Sequence, residues 1–585
     1  MHLVTVPGDD LLKPERNLLL GNWCKYGIEN LSYPDVIDQR EELVSQLAQS
    51  KFESIDINEL IEIENSILDS IFNLQSEFGI ETCSREAWKI RLGYWTQYYV
   101  GFMIRKIYAI ENVILNHEIG SASFYEVDEK KLVPKDSAEF LTKSSDPGFS
   151  STADLFIWNF LVKKEIETEV ITRKENSDED LEIPKKEKRR TRDRIYWAIE
   201  AITSKLYSRQ KYFLISSYLP IKYEILTHLK LGQLPFIRHQ SHMRDIAFNE
   251  PRIELRKHLG TKLKGPFVSS NEEIILKYLF KVFPLCFMEG VENIEKITYS
   301  TTLPTSPLLI YTANNFAFDE VFKYWVSRKV ESGSVYVAGQ HGNNYGTSKL
   351  VHPIESETAD YFLTWGWRDN PKTIPAFNFK VSRLKVNSNA NGNVTIMQDM
   401  LPSPVYAWDT DFAYYEYFSD QLTLVNELLQ ICDSSLSLRL HASSNGGRFN
   451  ELAKWRERFP DLQIDTGRKS IYSIWKSSRL VIHTYDSTGI LECFSLGIPS
   501  LALFSNGLNH LRSEVKNDYS ALVDAKIVFF EMKDLTNHVL EIWRDVDVWW
   551  KSEAVQSAIN DFCLKYSRES RDPSGELASI LKSLI

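Results

Sequence analysis

The stretch that most constrains the fold is residues 480–504, LVIHTYDSTGILECFSLGIPSLALF. It reads as a short apolar strand, a loop rich in Asp, Ser, Thr and Gly, a helix from near Ile490, and a second apolar strand after Gly497 and Pro499. A strand that empties into such a turn and then a helix gathers unpaired backbone N–H groups and the positive end of a helix dipole at one point, where a phosphate binds. Ser487, Thr488 and Gly489 would face that phosphate, Glu492, one turn further in, would accept from ribose hydroxyls, and Asp486 would belong to the same donor-binding stretch. The same residues also read as an ordinary capped helix, with Asp486 or Ser487 as N-cap.

The rhythm recurs along the chain. Residues 211–219 (KYFLISSYL) read as a strand with a helix at 221–231 behind it. Further strands are expected at 308–311, 335–338 and 361–364, running into Thr312-Ala313-Asn314-Asn315, GQHGNNYG and Trp365-Gly366-Trp367. Strands alternating with helices predict a parallel sheet covered on both faces. Pro371, Pro375 and the cluster NSNANGN interrupt the rhythm between 370 and 393. A second unit follows, with strands at 394–398, 436–440, 462–464, 480–482, 500–504 and 527–530 and a helix at about 412–431. The expected organisation is an α/β domain over 1–375, a second over 376–533, and C-terminal helices over 534–585 that pack back across the first domain. Ligands of such sheets bind at the carboxyl ends of the strands, so the two domains would face each other across a cleft.

A chain of 585 residues is too long for one core, which fits this division. Residues 18–21 read as a short strand, and apolar residues recur at helical spacing from 36 to 78. Residues 85–110 are aromatic nearly all round, the pattern of a helix buried between others, in which Arg91 and Arg105 would need partners. Residues 163–194 break the pattern with a run of mixed charge, expected to be a mobile insertion because it offers too little apolar surface to offset ordering. Its basic half, KKEKRRTRDR, would suit an anionic lipid surface or simply solvent. The net charge of −11 argues against nucleic acid as a partner, since phosphate backbones need a basic footprint. The six cysteines are scattered without metal-ligand spacing, which points to a reducing compartment. Neither a signal peptide nor an apolar run long enough to span a membrane is legible. A cytoplasmic protein is expected, with attachment to the inner face of the membrane left open. The oligomeric state is not legible.

Two histidine-bearing stretches add to the phosphate turn. Arg439-Leu440-His441 ends a strand, and alternation puts Arg439 and His441 on one side, a cation and an imidazole for an anionic donor or a structural strand end. Gln340-His341-Gly342-Asn343-Asn344-Tyr345-Gly346 lies in a loop of the other unit. There His341 could take a proton from an attacking hydroxyl, or only bond to backbone. No HExxH, GxSxG, Walker loop or kinase set is present, and no carboxylate cluster such as D-x-D sits at a strand end in a context that calls for a metal.

LLLGNWC, REAWKIRLGYW, GQHGNNYG, DYFLTWGW, SSRLVIHTYDSTGILECFSLGIPSL and DVDVWW, in this order over nearly the whole chain, resemble a family of transferases encoded in bacterial O-antigen and surface-polysaccharide clusters. The resemblance implies a GT-B-type glycosyltransferase with two Rossmann-like domains, moving a sugar from a nucleotide-activated donor to a glycan or lipid-linked acceptor without cofactor or metal. A wider similarity is to polyol-phosphate and capsule sugar transferases, in which a Gln-x-His-Gly motif supplies a base and a His-bearing strand end with a Ser/Thr loop holds a cytidine nucleotide. It implies His341 as the base, with Arg439, His441, Ser487 and Thr488 at the nucleotide. Gln340, Gly342, Asn343, Asn344 and Tyr345 would then line the acceptor side. His441-Ala442 stands where those proteins carry His-Pro, and glycine follows Tyr485-Asp486-Ser487-Thr488, so the nucleotide stays open. The alternatives are a polyol-phosphate transferase using a CDP-polyol and a non-catalytic glycan-binding or scaffold protein of the same fold.

Overall fold

Short apolar segments pair into three parallel sheets in the computed structural model, which describes residues 1–5, 17–20, 24, 57–144, 146–162, 166–172, 210–235, 246, 248–263, 265–300, 303–349, 352–399, 413–432, 435–441, 451–505 and 507–585. The first sheet has the order β2-β1-β3-β4, formed by β1 (His2–Val4), β2 (Asn17–Leu19), β3 (Ser121–Glu126) and β4 (Glu167–Thr172). The strand expected at 18–21 therefore belongs to a small sheet of its own. Strand β4 lies within the stretch read as an insertion. Its ETEVIT sequence carries the β-branched residues that fit a pleated surface, and it pairs over its whole length with β3. The rest of that stretch, 173–194 with its basic run, lies outside the described residues.

The second sheet runs β5 (Tyr212–Ile215), β6 (Leu309–Thr312), β7 (Val335–Gly339), β8 (Tyr361–Thr364) and β9 (Thr373–Pro375), in that spatial order and all parallel. Alternation sorts its side chains onto two faces. Phe213, Ile215, Ile310, Tyr336, Ala338 and Phe362 pack with Phe322 and Trp325 of the Glu320–Glu331 helix. Tyr212, Leu214, Leu309, Tyr311, Val337 and Leu363 share a core with Phe562, Leu577 and Leu581 from the C-terminal helices Glu553–Tyr566 and Pro573–Ser583.

The third sheet holds β10 (Asn393–Met397), β11 (Leu436–Arg439), β12 (Gln463–Asp465), β13 (Ser478–His483), β14 (Ser500–Leu503) and β15 (Val528–Phe529). Its order is β12-β11-β10-β13-β14-β15, all parallel. Numbered within the sheet this is 3-2-1-4-5-6, the doubly wound order of a Rossmann fold, whose direction reverses between β10 and β13. The mixed α/β class with parallel sheets is as the sequence predicts.

The Arg85–Asn116 helix is buried nearly all round. Ser84 caps it by accepting from Ala87 N at 3.1 Å. The cation that this apolar setting demanded a partner for, Arg91, donates to Ser327 Oγ at 2.8 Å and lies over the Tyr324 ring at 4.3 Å. At Gly93 a Cβ would stand 2.5 Å from Ile354, so the glycine lets the short Ile354–Thr358 helix press against the long one. That contact fixes Glu355, which lies behind the candidate site. Among the described residues no helix is long and apolar enough to cross a membrane.

Candidate functional site

The loop after β7 carries His341. It leaves the strand at Gly339, where a Cβ would sit 2.6 Å from the Tyr311 hydroxyl. Gln340 is buried and ties the strand ends together. Its Nε2 donates to Gly342 O at 2.8 Å, and its Oε1 accepts from Trp365 N at 2.8 Å and Trp367 Nε1 at 2.9 Å. The loop then turns through Asn344 (φ +70°) and Gly346 (φ +71°), where the Trp367 ring would meet any Cβ at 2.7 Å.

These constraints hold the His341 ring between aromatic neighbours. Tyr218 stacks on it at 6.1 Å and 19°, and Phe316 lies 5.7 Å away. The half-buried imidazole is held neutral, its pKa pushed down to about 4, first by desolvation and then by the nearby Lys380 ammonium. Nδ1 lies 2.9 Å from the Tyr345 hydroxyl, which donates to Glu355. Tyr345 and Glu355 are both buried, and burial pushes both groups up, so Tyr345 stays a neutral phenol.

The loop after β13 carries the phosphate turn. Its helix is Thr488–Leu496 with Ser487 as N-cap, so it starts two residues before the expected Ile490. Ser487 makes no side-chain cap bond; its Oγ lies 2.9 Å from Nδ1 of His483, which ends β13 and is fully buried. A Cβ on Gly489 would stand 2.7 Å from His483 Cε1, so this imidazole sets how closely the helix approaches the strand. Burial holds His483 neutral as well, at about 3.

The two loops meet. Asn343 N donates to Thr488 Oγ1 at 2.9 Å, and Asn343 Nδ2 donates to Asp486 Oδ1 at 2.7 Å. Asp486 Oδ2 accepts from the Tyr519 hydroxyl at 2.8 Å and lies 3.1 Å from His510 Nε2. Backbone bonds continue the seam, from Lys349 N to His510 O at 3.0 Å and from Arg512 N to Thr347 O at 2.9 Å. Asp486 is thus a clasp between the sheets. Thr488 accepts at its hydroxyl and keeps its own proton to donate. The first N–H groups of the helix lack intrahelical partners, as at any helix start.

The other expected residues are distributed differently. Glu492 is buried and ion-paired with Lys380 at 2.5 Å. Arg439 is paired with Asp465 on β12 and donates to Lys469 O at 3.1 Å. His441 is exposed beyond β11, separated from β13 by β10, which puts the two strand ends about 10 Å apart. At the switch point itself lie residues the sequence did not single out. Tyr417 accepts from Asp399 N at 2.9 Å and lies 2.6 Å from Thr484 Oγ1. Lys380, Tyr218, Phe316 and Glu355 were missed too. Lys380 has one signal, a lone cation in the aromatic run AFNFK. Tyr218 has none, since its positive φ of 62° comes from the turn after β5.

A parallel α/β chain that sets a neutral histidine loop of one sheet against a helix N-terminus of another has the makings of a two-substrate enzyme. The chain belongs to the LIC12162 family transferase group, whose family model matches residues 1–581, and it is a transferase. The transferase resemblance seen in the sequence holds on that match. No curated protein compared with it matches. Two solved structures are similar at 11% identity: UDP-GlcNAc 2-epimerase from Neisseria meningitidis bound to UDP-GlcNAc, over 64% of this chain and 98% of that one with a TM-score of 0.31, and spinosyn rhamnosyltransferase SpnG complexed with spinosyn aglycone, over 64% and 100% with a TM-score of 0.30.

Proposed function

We propose that the protein is a glycosyltransferase that moves a sugar from a nucleotide-activated donor to the hydroxyl of a glycan or lipid-linked acceptor. The third sheet holds the nucleotide at its β10/β13 switch point. The second sheet supplies the base. The observation that carries this reading is the seam from Asn343 to Thr488 and Asp486, which holds the His341 loop against the N-terminus of the Thr488–Leu496 helix.

The step is a direct displacement. The acceptor O–H gives its proton to His341 Nε2 as its oxygen bonds to the anomeric carbon, and the bond from that carbon to the phosphate oxygen breaks with its electron pair leaving on the nucleotide. The charge that develops there meets the helix N-terminus, the Thr488 hydroxyl and Lys380, which keeps donors beyond the one it gives Glu492. A neutral imidazole suits a base, because a protonated one has nowhere to put the acceptor's proton. In this scheme Arg439 and His441 lie at the margin of the nucleotide, and no divalent cation takes part.

A thermal-shift panel with CMP, UDP, GDP and dTDP tests the reading, since a ligand of the folded state raises its melting temperature. One nucleotide is expected to stabilise the protein, and its activated sugars are then assayed for transfer with and without EDTA. No shift with any of the four would count against a donor site. A phosphodiester signal in the phosphorus NMR spectrum of the product would replace sugar transfer by polyol-phosphate transfer.

A further inference from the structure

Behind His341 stand two groups that its assignment as a base leaves unused. The Tyr345 hydroxyl lies between His341 Nδ1, at 2.9 Å, and the Glu355 carboxyl, to which it donates. Tyr345 and Glu355 are both buried, and Glu355 sits on the short helix pressed against Gly93, so neither is a chance surface contact. The same short helix is tied to the long one by Glu357, which pairs with Lys89 at 2.6 Å and lies 2.7 Å from His352 Nε2.

We propose that Tyr345 and Glu355 are positioning residues that fix the tautomer of His341, keeping the proton on Nδ1 so that Nε2 is the bare nitrogen turned to the acceptor. This rests on the reading of His341 as the base. Proton counting carries it. With Glu355 ionised, Tyr345 gives its one proton to that carboxylate, so its oxygen can only accept from His341, and Nδ1 is then the protonated nitrogen. Nε2 has no partner among the described residues. When the acceptor's proton arrives on Nε2, the ring becomes an imidazolium whose Nδ1–H already points at a phenol oxygen backed by a carboxylate. The charge is met without any group having to move. The aromatic rings of Tyr218 and Phe316 hold the plane of the imidazole, and Tyr345 chooses which edge faces out.

Histidine-selective 15N NMR of the full chain, with the His341 signals identified by their loss in His341→Ala, reads the tautomer directly. The expected spectrum shows a protonated Nδ1 and a bare Nε2, and Tyr345→Phe turns it into a mixture. In the transfer assay Tyr345→Phe is expected to lower kcat by ten- to a hundredfold with KM within twofold. Glu355→Gln, whose amide oxygen still accepts from Tyr345, is expected to keep the tautomer and lose less. A His341 protonated on Nε2 in the unmodified protein, as a protonated Glu355 would impose, overturns the proposal. So does a Tyr345→Phe protein whose kcat stays within twofold of the parent. Should that variant not fold, the spectrum of the unmodified chain still decides. If His341→Ala itself keeps its turnover, the failure lies with the base assignment, and the tautomer measurement stands apart from it.

Discussion

His341 and His483 stand at the carboxyl ends of two central strands, β7 and β13, and burial keeps both imidazoles neutral, at about 4 and about 3. Their surroundings differ, and so do the roles proposed for them. His483 is sealed, bonded through Nδ1 to Ser487, and braced against Gly489. It is a spacer that holds the helix start at a set distance from the strand. His341 is half-buried among aromatic rings and bonded through Nδ1 to Tyr345; neither its Nε2 nor that of His483 has a partner among the described residues, but only the His483 nitrogen is sealed from solvent. A depressed pKa is common to a packed histidine and a catalytic one; access to the second nitrogen separates them.

Substitution at His341 should break the comparison most sharply. His341→Ala is expected to lower kcat by about 10²–10⁴ while leaving nucleotide affinity within twofold, measured by turnover and calorimetry. If the alanine variant turns over normally, the two histidines are alike and neither is the base. His483→Ala should do the reverse, loosening nucleotide binding through the helix start.

Acid should act on both imidazoles in the same direction. A histidine held neutral in the folded protein and titrating near 6.5 in the unfolded chain contributes stability that is complete above pH 6.5. That stability is lost as pH falls toward the folded value, about 4 for His341 and about 3 for His483. Denaturant midpoints between pH 7 and pH 4 should show a loss of several kcal/mol in all, smaller in His483→Gln. Turnover should stay level from neutral pH down to about 5 and fall near 4, where His341 takes up a proton.

Gly489→Ala sharpens the spacer half. Its Cβ would stand 2.7 Å from His483 Cε1, so the helix start or the ring must shift, at a cost of about 1–3 kcal/mol. A lower melting temperature and about tenfold weaker nucleotide binding are expected. Unchanged binding would mean that the helix start does not touch the nucleotide. Asn343→Ala should have the smallest effect, about 1 kcal/mol in stability, since Asp486 keeps Tyr519 and His510 as donors.

Much of the fold was legible. In β5 to β8, β10, β11 and β13 to β15 apolar residues mark each strand to within a few residues, because both faces of a parallel sheet are buried; β12, Gln463–Asp465, lies at the sheet edge and is only partly buried. β1, β3 and β4 were not legible: a three-residue strand such as His2–Val4 has no period to read, and SASFYE and ETEVIT carry too few apolar residues to mark one. β9 was hidden by Pro375, a residue that marks boundaries and is tolerated only at a sheet edge, where β9 lies. At the site, His341 and 486–489 could be singled out because glycine, hydroxyl and imidazole residues cluster at strand ends. Their partners could not. Lys380 and Glu492 are 112 positions apart, and Asn343 and Thr488 are 145 apart; no local pattern encodes such a pairing.

The sequence by itself determined the parallel α/β class and singled out the two strand-end loops proposed to carry the chemistry, because hydrophobic period and turn composition act over a few residues. Only the tertiary structure decided what those loops do to each other. It joined Asn343 to Asp486, paired Arg439 with Asp465 and Glu492 with Lys380, and set Tyr345 and Glu355 behind His341. Charge state and tautomer depend on burial and on groups remote in the chain, and those exist only once the sheets have packed together.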